Sequence, residues 1–254
     1  MTARTALVTG GSRGIGLGIV ERLVADGCRV AINGVRGPDA VAPTLAALRD
    51  EGADVVYVRG SVADPAGRAS IVEGTLEAFG RIDVLVNNAG ITSPGRLDIL
   101  VATEENFDLV MATNLKGPFF LTQKLLPLLR EAATWEDPAR IVNIASIDGL
   151  HNNPIETYSY AASKAGLIHL TRSLARHLVK DDILVNAIAP GPFDSKMMAY
   201  TLETMGEQIK ASNPRRRIGT PEDIAGTAIY LCSRASAYTT GETITVDGGI
   251  VHCS

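Results

Sequence analysis

Short apolar runs rich in β-branched residues alternate along the chain with longer segments of helical periodicity. The runs predict strands at 5–9 (TALVT), 29–33 (RVAIN), 54–58 (DVVYV), 83–87 (DVLVN), 140–145 (RIVNIA), 184–189 (LVNAIA) and 243–247 (TITVD). Helical periodicity between them predicts helices, among others at 15–25, 66–79 and 161–179. This alternation indicates right-handed βαβ units and a parallel sheet that is covered by helices on both faces.

Capping signals mark several helix starts, and one long insert interrupts the alternation. Asp64-Pro65 and Thr220-Pro221 each place an N-cap residue before a proline at the first helical position. The segment at about 192–217 is long for a connection and carries several apolar residues. We expect one domain over 1–254, with a helical substrate lid at about 192–217.

Composition narrows the class of protein. The chain has 254 residues and a formal net charge of −4, which fits one large α/β domain and argues against a nucleic-acid or anionic-membrane partner. No apolar run approaches the ~20 residues of a membrane span. The first predicted strand begins at Thr5, leaving no room for a signal peptide, and the cysteines show no C-x-x-C spacing. We therefore expect a soluble cytoplasmic protein with reduced thiols and no metal site.

A glycine-rich turn follows the first predicted strand and opens a helix. Its spacing is G-x-x-x-G-x-G, which allows a tight turn and a close backbone approach to a pyrophosphate at the helix N-terminus. Tight packing of the turn alone is the alternative explanation. The residues expected to contact a dinucleotide here are Gly10, Ser12, Arg13, Gly14, Ile15 and Gly16.

The end of the second strand bears on which nicotinamide cofactor binds. An NAD site usually has Asp or Glu there for the ribose 2′-hydroxyl, whereas a 2′-phosphate is bound by arginine. This chain has neutral Asn33, with Arg36 three residues later and Arg13 in the glycine turn. The pattern favours NADP(H) over NAD(H), although both arginines could be ordinary surface residues and Asp39 lies nearby.

Four further motifs follow in order along the chain. They are "NNAG" at 87–90, Asn114 in "MATNLKG", Ser146 after the fifth strand, and Tyr160-x-x-x-Lys164. With the glycine turn, they resemble the short-chain dehydrogenase/reductase family over essentially the whole chain. The resemblance implies a single Rossmann-type, three-layer α/β/α domain with a seven-stranded parallel sheet in the order 3-2-1-4-5-6-7. It also implies a homotetramer, with a dimer as the alternative.

The resemblance also implies roles for individual residues. Tyr160 would be the general acid/base, and Ser146 would hydrogen-bond the substrate carbonyl. Lys164 would bind the nicotinamide ribose and lower the pKa of Tyr160, while Asn114 would hold a water of the proton relay. Further cofactor contacts would come from Ser61, Val62, Asn87, Ala89, Gly90, Pro190, Gly191 and Ser195. Ser61 stands where the family usually has an aspartate that contacts adenine.

General chemistry supports the choice of Tyr160 over Tyr158. Hydride transfer to a ketone leaves negative charge on oxygen, which needs a hydrogen-bond donor and finally a proton. A nearby ammonium favours a phenolate, and residues four apart share one face of a helix, as Tyr160 and Lys164 would. Tyr158 is six residues from Lys164 and is expected to precede the first helical turn. A packed core tyrosine is the alternative explanation for Tyr160.

The substrate is the least determined feature. "TGGSRGIG", "NNAGI", "NLKGPFF" and "NAIAPG" resemble the bacterial NADPH-dependent 3-oxoacyl-carrier-protein reductases. The leading hypothesis is therefore reduction of a 3-oxoacyl thioester or a similar small-molecule carbonyl. The loop before Tyr160 is polar, with Asp148, His151, Asn152, Asn153 and Glu156. A dehydrogenase of a polyol, sugar acid or small secondary alcohol thus stays open, as does a non-catalytic nucleotide-binding regulator.

Overall fold

Parallel strands form one central sheet. The computed structural model describes residues 3–152 and 155–253. In that part of the chain the strands are β1 (Thr5–Thr9), β2 (Arg29–Gly34), β3 (Val55–Arg59), β4 (Val84–Asn87), β5 (Ala139–Ile144), β6 (Ile183–Pro190) and β7 (Thr243–Val246). They form a seven-stranded sheet in the order β3-β2-β1-β4-β5-β6-β7, every neighbouring pair being parallel. The predicted fold class and strand order are confirmed.

Helices cover both faces of the sheet. On one face lie α1 (Gly14–Ala25), α2 (Ala42–Asp50) and α8 (Pro221–Cys232). On the other lie α3 (Pro65–Phe79), α5 (Gly117–Ala132) and α6 (Tyr158–Leu178). The remaining helices are α4 (Glu104–Met111), which runs into a π-helical turn at Ala112–Lys116, and α7 (Ala199–Ser212) in the long insert. Among the described residues, no helix has the length and apolarity needed to cross a membrane.

The core explains why the strands are apolar throughout. Successive side chains of a strand point to opposite faces, so Ala6 and Val8 pack against α1 and α8 while Leu7 packs toward α5. All three are fully buried. Burial of a large aliphatic side chain contributes roughly 1.5–3 kcal/mol, so strands covered on both faces retain apolar residues at every position.

The element boundaries agree closely with the sequence-based prediction, with one correction. Every strand lies within one residue of its predicted limits, and Asp64 caps α3 by accepting from the Gly67 N–H at 2.6 Å. Tyr158 was expected before the first turn of α6, but it is the first residue of that helix. The reason is that the Ala161 N–H already donates to the Thr157 carbonyl, at 2.8 Å.

A buried polar chain joins the sheet to α6 beneath the carboxyl ends of the strands. Asn87 Nδ2 donates to Asn143 Oδ1 at 2.9 Å, and Asn143 Nδ2 donates to Thr171 Oγ1 at 2.9 Å. All three side chains are nearly inaccessible to solvent. Buried polar groups are costly unless they are paired. These hydrogen bonds therefore hold β4, β5 and α6 in one relative position.

We expect Asn143→Leu to lower the free energy of unfolding by ~1–3 kcal/mol, because the buried Asn87 amide would lose its best acceptor. Urea unfolding monitored by circular dichroism would measure this change. Gln123→Leu, an exposed polar-to-apolar change on α5, is the matched control. Equal midpoints for the two variants would contradict a structural role for the polar chain.

Candidate active site

A cleft opens at the carboxyl edge of the sheet, where the chain leaves β1, β2, β4, β5 and β6. Its cavity volume is about 400 Å³, within the range of small-molecule and cofactor sites. Strand order reverses between β1 and β4, and such switch points are where open parallel sheets bind ligands. The predicted site residues that line this cavity are Gly10, Ser12, Arg13, Gly14, Ile15, Gly16, Asn33, Arg36, Ser61, Val62, Ala89, Gly90, Ser146, Tyr160, Lys164, Pro190, Gly191 and Ser195.

The glycine turn forms one wall of the cleft and leads directly into α1. Gly10 has φ +64°, a left-handed conformation that favours glycine. A Cβ on Gly16 would collide with the Gly10 carbonyl and with Asn88 Nδ2. The first turn of α1 carries no acidic side chain, so its N–H groups and dipole are available to an anion. The turn therefore fits the pyrophosphate of a dinucleotide.

Asn88, which sequence reasoning passed over, braces this turn. Its Nδ2 donates to the carbonyls of Thr9 at 2.8 Å and Gly10 at 3.1 Å, and the residue lines the cleft. Asn87 was expected to line the cofactor, but its buried side chain points instead to Asn143, and it is not among the lining residues that the structure describes. The two positions differ because successive side chains point to opposite sides of an extended backbone.

The loop after β2 carries one arginine, Arg36, and the strand ends near the buried Asn33. Arg36 Nη2 donates to the Ser12 carbonyl at 2.8 Å and Nη1 to the Ala40 carbonyl at 3.2 Å, so it spans from the loop after β2 to the glycine turn. Asn33 is buried, and its Nδ2 donates to the Val58 and Gly60 carbonyls, both at 3.0 Å. Its side chain thus fastens β2 to β3 and offers a ligand at most its oxygen.

The loop after β3 carries the two residues expected near adenine. Ser61 Oγ accepts from the Ala63 N–H at 3.3 Å, and Val62 is mostly buried. Arg68 of α3, itself buried, donates to the Val62 carbonyl at 2.7 Å. The loop is therefore held from below by a cation, and Val62 presents an apolar surface to the cleft.

Ser146, Tyr160 and Lys164 meet at the floor of the cleft. Ser146 follows β5, and its Oγ accepts from the Asp148 N–H at 3.2 Å while it hydrogen-bonds Tyr160. Tyr160 and Lys164 lie one turn apart on α6, with Lys164 Nζ 5.6 Å from the centroid of the Tyr160 ring. Lys164 Nζ donates to the Ile144 carbonyl at 2.7 Å. The structure thus brings together the three residues that the motifs predicted.

Burial controls the charge of both titratable groups. It raises the pKa of Tyr160 to about 12, with a smaller raising contribution from Asp148 and an opposing hydrogen bond from Ser146. Burial lowers the pKa of Lys164 to about 8, against the raising effect of Asp148. The expected lowering of the Tyr160 pKa by Lys164 is not seen: burial raises that pKa, and the Lys164 ammonium donates to a backbone carbonyl.

Asn114 lies beside the floor of the cleft, and both amide hydrogens and the oxygen of its side chain have protein partners. Its Oδ1 accepts from the Ile91 N–H at 2.9 Å, while Nδ2 donates to the Ile91 carbonyl at 2.9 Å and to Ser163 Oγ at 3.1 Å. It sits in the π-helical turn, a distortion that is frequent at functional sites. In the described structure Asn114 positions the loop after β4, and its predicted hold on a water stays a prediction.

The polar loop before Tyr160 contributes less to the cleft than its composition suggested. Asp148 lines the cavity, whereas His151, Asn152 and Glu156 are exposed and are absent from its described lining. Asn153 lies outside the described residues. Tyr158 is also exposed and absent from that lining, which distinguishes it from Tyr160.

The outer part of the cleft has a mostly apolar wall. The start of the long insert supplies part of it, whereas α7 supplies none of the lining that the structure describes. Arg96, on the loop after β4, adds a cation to this wall that sequence reasoning missed. The other lining residues here are Ile91, Thr92, Ile155, Thr157, Pro192, Phe193, Met197 and Met198.

Known proteins resemble this chain over nearly its whole length. A family model described as enoyl-(acyl carrier protein) reductase matches residues 10–251. The rhamnolipids biosynthesis 3-oxoacyl-[acyl-carrier-protein] reductase of Pseudomonas aeruginosa is 40% identical over 251 residues, which cover 98% of this chain and 96% of that protein.

Two solved structures have the same architecture. The Pseudomonas aeruginosa RhlG/NADP active-site complex superposes with a TM-score of 0.92 at 40% identity, over 98% of this chain and 97% of that one. The 3-oxoacyl-[acyl-carrier protein] reductase of Brucella melitensis in complex with NAD has a TM-score of 0.92 at 34% identity, over 99% and 98%. On its strand order, its glycine turn and these full-length similarities, the chain belongs to the short-chain dehydrogenase/reductase family of oxidoreductases.

Proposed function

We propose that the protein reduces a ketone to a secondary alcohol with NADPH, and that Tyr160 is the general acid. The convergence of Ser146, Tyr160 and Lys164 at the floor of a cleft beside a phosphate-binding turn carries this proposal. The residues fit a dinucleotide, because the tight glycine turn leads into α1, whose first turn carries no acidic side chain.

When bound, the nicotinamide supplies a hydride to the carbonyl carbon of the substrate. Ser146 Oγ accepts from the Asp148 N–H, and the proton that its hydroxyl shares with Tyr160 would be donated to the substrate oxygen once a ketone lies between them. Tyr160 lies on the other side of Ser146 and donates the proton that completes the alcohol. The two hydroxyls thereby stabilise the charge that develops on that oxygen.

The protonation states suit reduction. A pKa of about 12 keeps Tyr160 protonated at neutral pH, as a proton donor must be. A pKa of about 8 keeps Lys164 mostly protonated there, so it can hold the nicotinamide ribose and attract electron density from the phenol. Oxidation of an alcohol would need the phenolate, which burial disfavours.

Preference for NADP(H) is supported by the arginines at the cofactor end. Arg36 and Arg13 line the cavity, and among its described lining residues no carboxylate accompanies them at the end of β2. A 2′-phosphate between these cations would gain charge-assisted hydrogen bonds. The relatives differ here, since the Pseudomonas structure holds NADP and the Brucella structure holds NAD.

The proposed substrate is a 3-oxoacyl thioester or a similar carbonyl. The Pseudomonas relative of known sequence and the Brucella structure are named 3-oxoacyl-carrier-protein reductases, and the outer cleft has a mostly apolar wall that would accept an acyl chain. The polar side chains Asp148 and Arg96 in the same cavity favour a second candidate, a dehydrogenase of a polyol, sugar acid or small secondary alcohol. Faster oxidation of polyols than reduction of acetoacetyl thioesters, measured over one panel, would favour that second function.

Three wider expectations belong to this proposal. Movement of the segment at about 192–217 would cover the substrate, because its first residues already line the cleft. We also propose a homotetramer, with a dimer as the alternative, and a cytoplasmic location. The molar mass of the purified protein, measured by light scattering, would distinguish the homotetramer from the dimer.

Tyr160→Phe should lower kcat by ~10²–10⁴-fold, because the phenol proton is the one transferred. The dissociation constant for NADPH should change little, since the ring stays in place. Tyr158→Phe should retain activity. Steady-state kinetics with fluorescence titration of NADPH would measure both constants, and an inactive Tyr158→Phe beside an active Tyr160→Phe would reverse the assignment.

Arg36→Ala should raise KM for NADPH by ~10–100-fold, which corresponds to the loss of hydrogen bonds to a charged group. KM for NADH should rise far less, because NADH has no 2′-phosphate. Comparing the two cofactors on one variant also controls for any disturbance of the Ser12 carbonyl. Equal increases for both cofactors would show that Arg36 is structural.

In Asp148→Asn, the fall of kcat/KM for ketone reduction at alkaline pH should begin at a lower pH. The Asp148 carboxylate raises the pKa of both Tyr160 and Lys164, so its removal lets both lose their protons at lower pH. The measurement is kcat/KM for the ketone against pH at saturating NADPH. Asp50→Asn, an exposed carboxylate on α2, is the control, and a fall that begins at the same or a higher pH would contradict the prediction.

A further inference from the structure

Arg96 lines the same cavity as Ser146 and Tyr160, but the proposed reaction gives it no part. It ends a short 3₁₀ turn, Pro94–Arg96, in the loop that follows β4. Its side chain is half-buried. Arg96 is thus a cation in a part of the cleft whose wall is mostly apolar.

The turn that carries Arg96 is tied to the start of α6. Ser93 Oγ accepts from the Tyr160 N–H at 3.2 Å and pairs with Ser159 Oγ at 2.9 Å. The Arg96 N–H in turn donates to the Ser93 carbonyl at 3.3 Å. Arg96 is therefore held in a constant relation to the helix that carries Tyr160.

The backbone at Arg96 adopts a disfavoured conformation. Gly95 has φ +70° and Arg96 has φ +47°, so two successive residues are left-handed. Glycine tolerates this region, but a residue with a long side chain seldom occupies it. Such residues persist where the surroundings hold them, and they cluster at functional sites.

The guanidinium of Arg96 has its donors available. Within residues 3–152 and 155–253, no carboxylate lies within 4.0 Å of it and no hydrogen bond of its side chain is found. By contrast, Arg36 at the cofactor end donates to two carbonyls. An arginine offers five donors in a planar fork, whose best partners are carboxylate and phosphate groups.

A second cation of the cavity wall, Lys196, belongs to the other end. It follows Ser195, whose Cβ would lie 3.8 Å from a Cβ built on Gly14 in the phosphate-binding turn. Lys196 therefore follows a residue that approaches the phosphate-binding turn, whereas Arg96 lies next to the helix of Tyr160. The two cations therefore lie on different segments of the cavity wall.

We propose that Arg96 is a specificity residue that binds an anionic oxygen group of the substrate while the ketone lies at Ser146 and Tyr160. This inference rests on the proposed ketone reduction. The anion is a carboxylate on the oxo chain or a phosphate on the carrier arm of a thioester, and the two share the chemistry that an arginine recognises. The enzyme accordingly selects anionic ketones over neutral ones of the same acyl length.

The test compares three substrates with one 3-oxoacyl length. The first is a neutral N-acetylcysteamine thioester, the second is the coenzyme A thioester, which carries phosphates, and the third is an N-acetylcysteamine thioester whose acyl chain ends in a carboxylate. For the anionic substrate whose charged group Arg96 binds, Arg96→Gln should lower kcat/KM by ~10–100-fold, mainly by raising KM. The neutral substrate should change by less than ~2-fold, and Arg96→Lys should restore part of the loss.

Comparison of the two anionic substrates identifies the group that Arg96 binds. A loss confined to the coenzyme A thioester supports the phosphate of a carrier arm, and a loss confined to the carboxylate substrate supports an oxo acid. In either case, added salt should reduce the preference of the unchanged enzyme for the anionic substrate.

Arg22→Gln, which removes an exposed arginine of α1, is the control for net charge. Thermal unfolding and NADPH titration would show that the variants fold and bind cofactor. Equal losses of Arg96→Gln on the neutral and anionic substrates would overturn the proposal, because Arg96 would then act only through the fold. If the unchanged enzyme reduces none of the ketones, the proposed function fails, and this inference fails with it.

Discussion

The joined ends of β1 and β4 determine where this molecule can bind a ligand. Thr9 Oγ1 accepts from the N–H groups of Asn88 and Ala89, both at 3.0 Å, and the Asn88 side chain donates back to the Thr9 and Gly10 carbonyls. These contacts lie where the strand order reverses, so they hold the walls of the crevice at one separation. The glycine turn depends on them, because Asn88 occupies the space that a larger residue at Gly16 would need. Cofactor binding and the position of α1 thus follow from one cluster of hydrogen bonds.

Desolvation sets the chemistry at the other end of the cleft. The same burial that raises the pKa of Tyr160 lowers that of Lys164, so it favours a neutral phenol and weakens the hold of the lysine on its proton. Asp148 acts on both groups in one direction, because a nearby negative charge disfavours the phenolate and favours the ammonium. A site with these charges is suited to donating a proton to a substrate oxygen. At neutral pH Tyr160 therefore still carries the proton that such a donation requires.

Sequence patterns predict the fold of this chain far better than the contacts of single side chains. Strand limits follow from apolar runs because a sheet buried on both faces requires them, and Tyr160 with Lys164 follows from helical spacing. Asn87 and Asn88 could not be told apart in this way, since which one faces the cleft depends on the pleat at the end of β4. The pKa of Tyr160 depends on burial by distant segments, which local spacing does not reveal. Arg96 stands outside every recognisable motif, and only its left-handed turn and its place beside α6 mark it.

The charges along the cleft give it a direction. Arg13 and Arg36 place positive charge beside the glycine turn, Asp148 and the Lys164 ammonium place opposite charges near Tyr160, and Arg96 adds a positive charge on the loop after β4. Under the proposed function, a dinucleotide phosphate and a substrate anion would be attracted to opposite ends of the cleft. Arg96 would hold the anion of such a substrate away from the floor, which leaves the neutral ketone to face Ser146 and Tyr160. Orientation of the substrate then follows from the order of these charges as well as from the shape of the pocket.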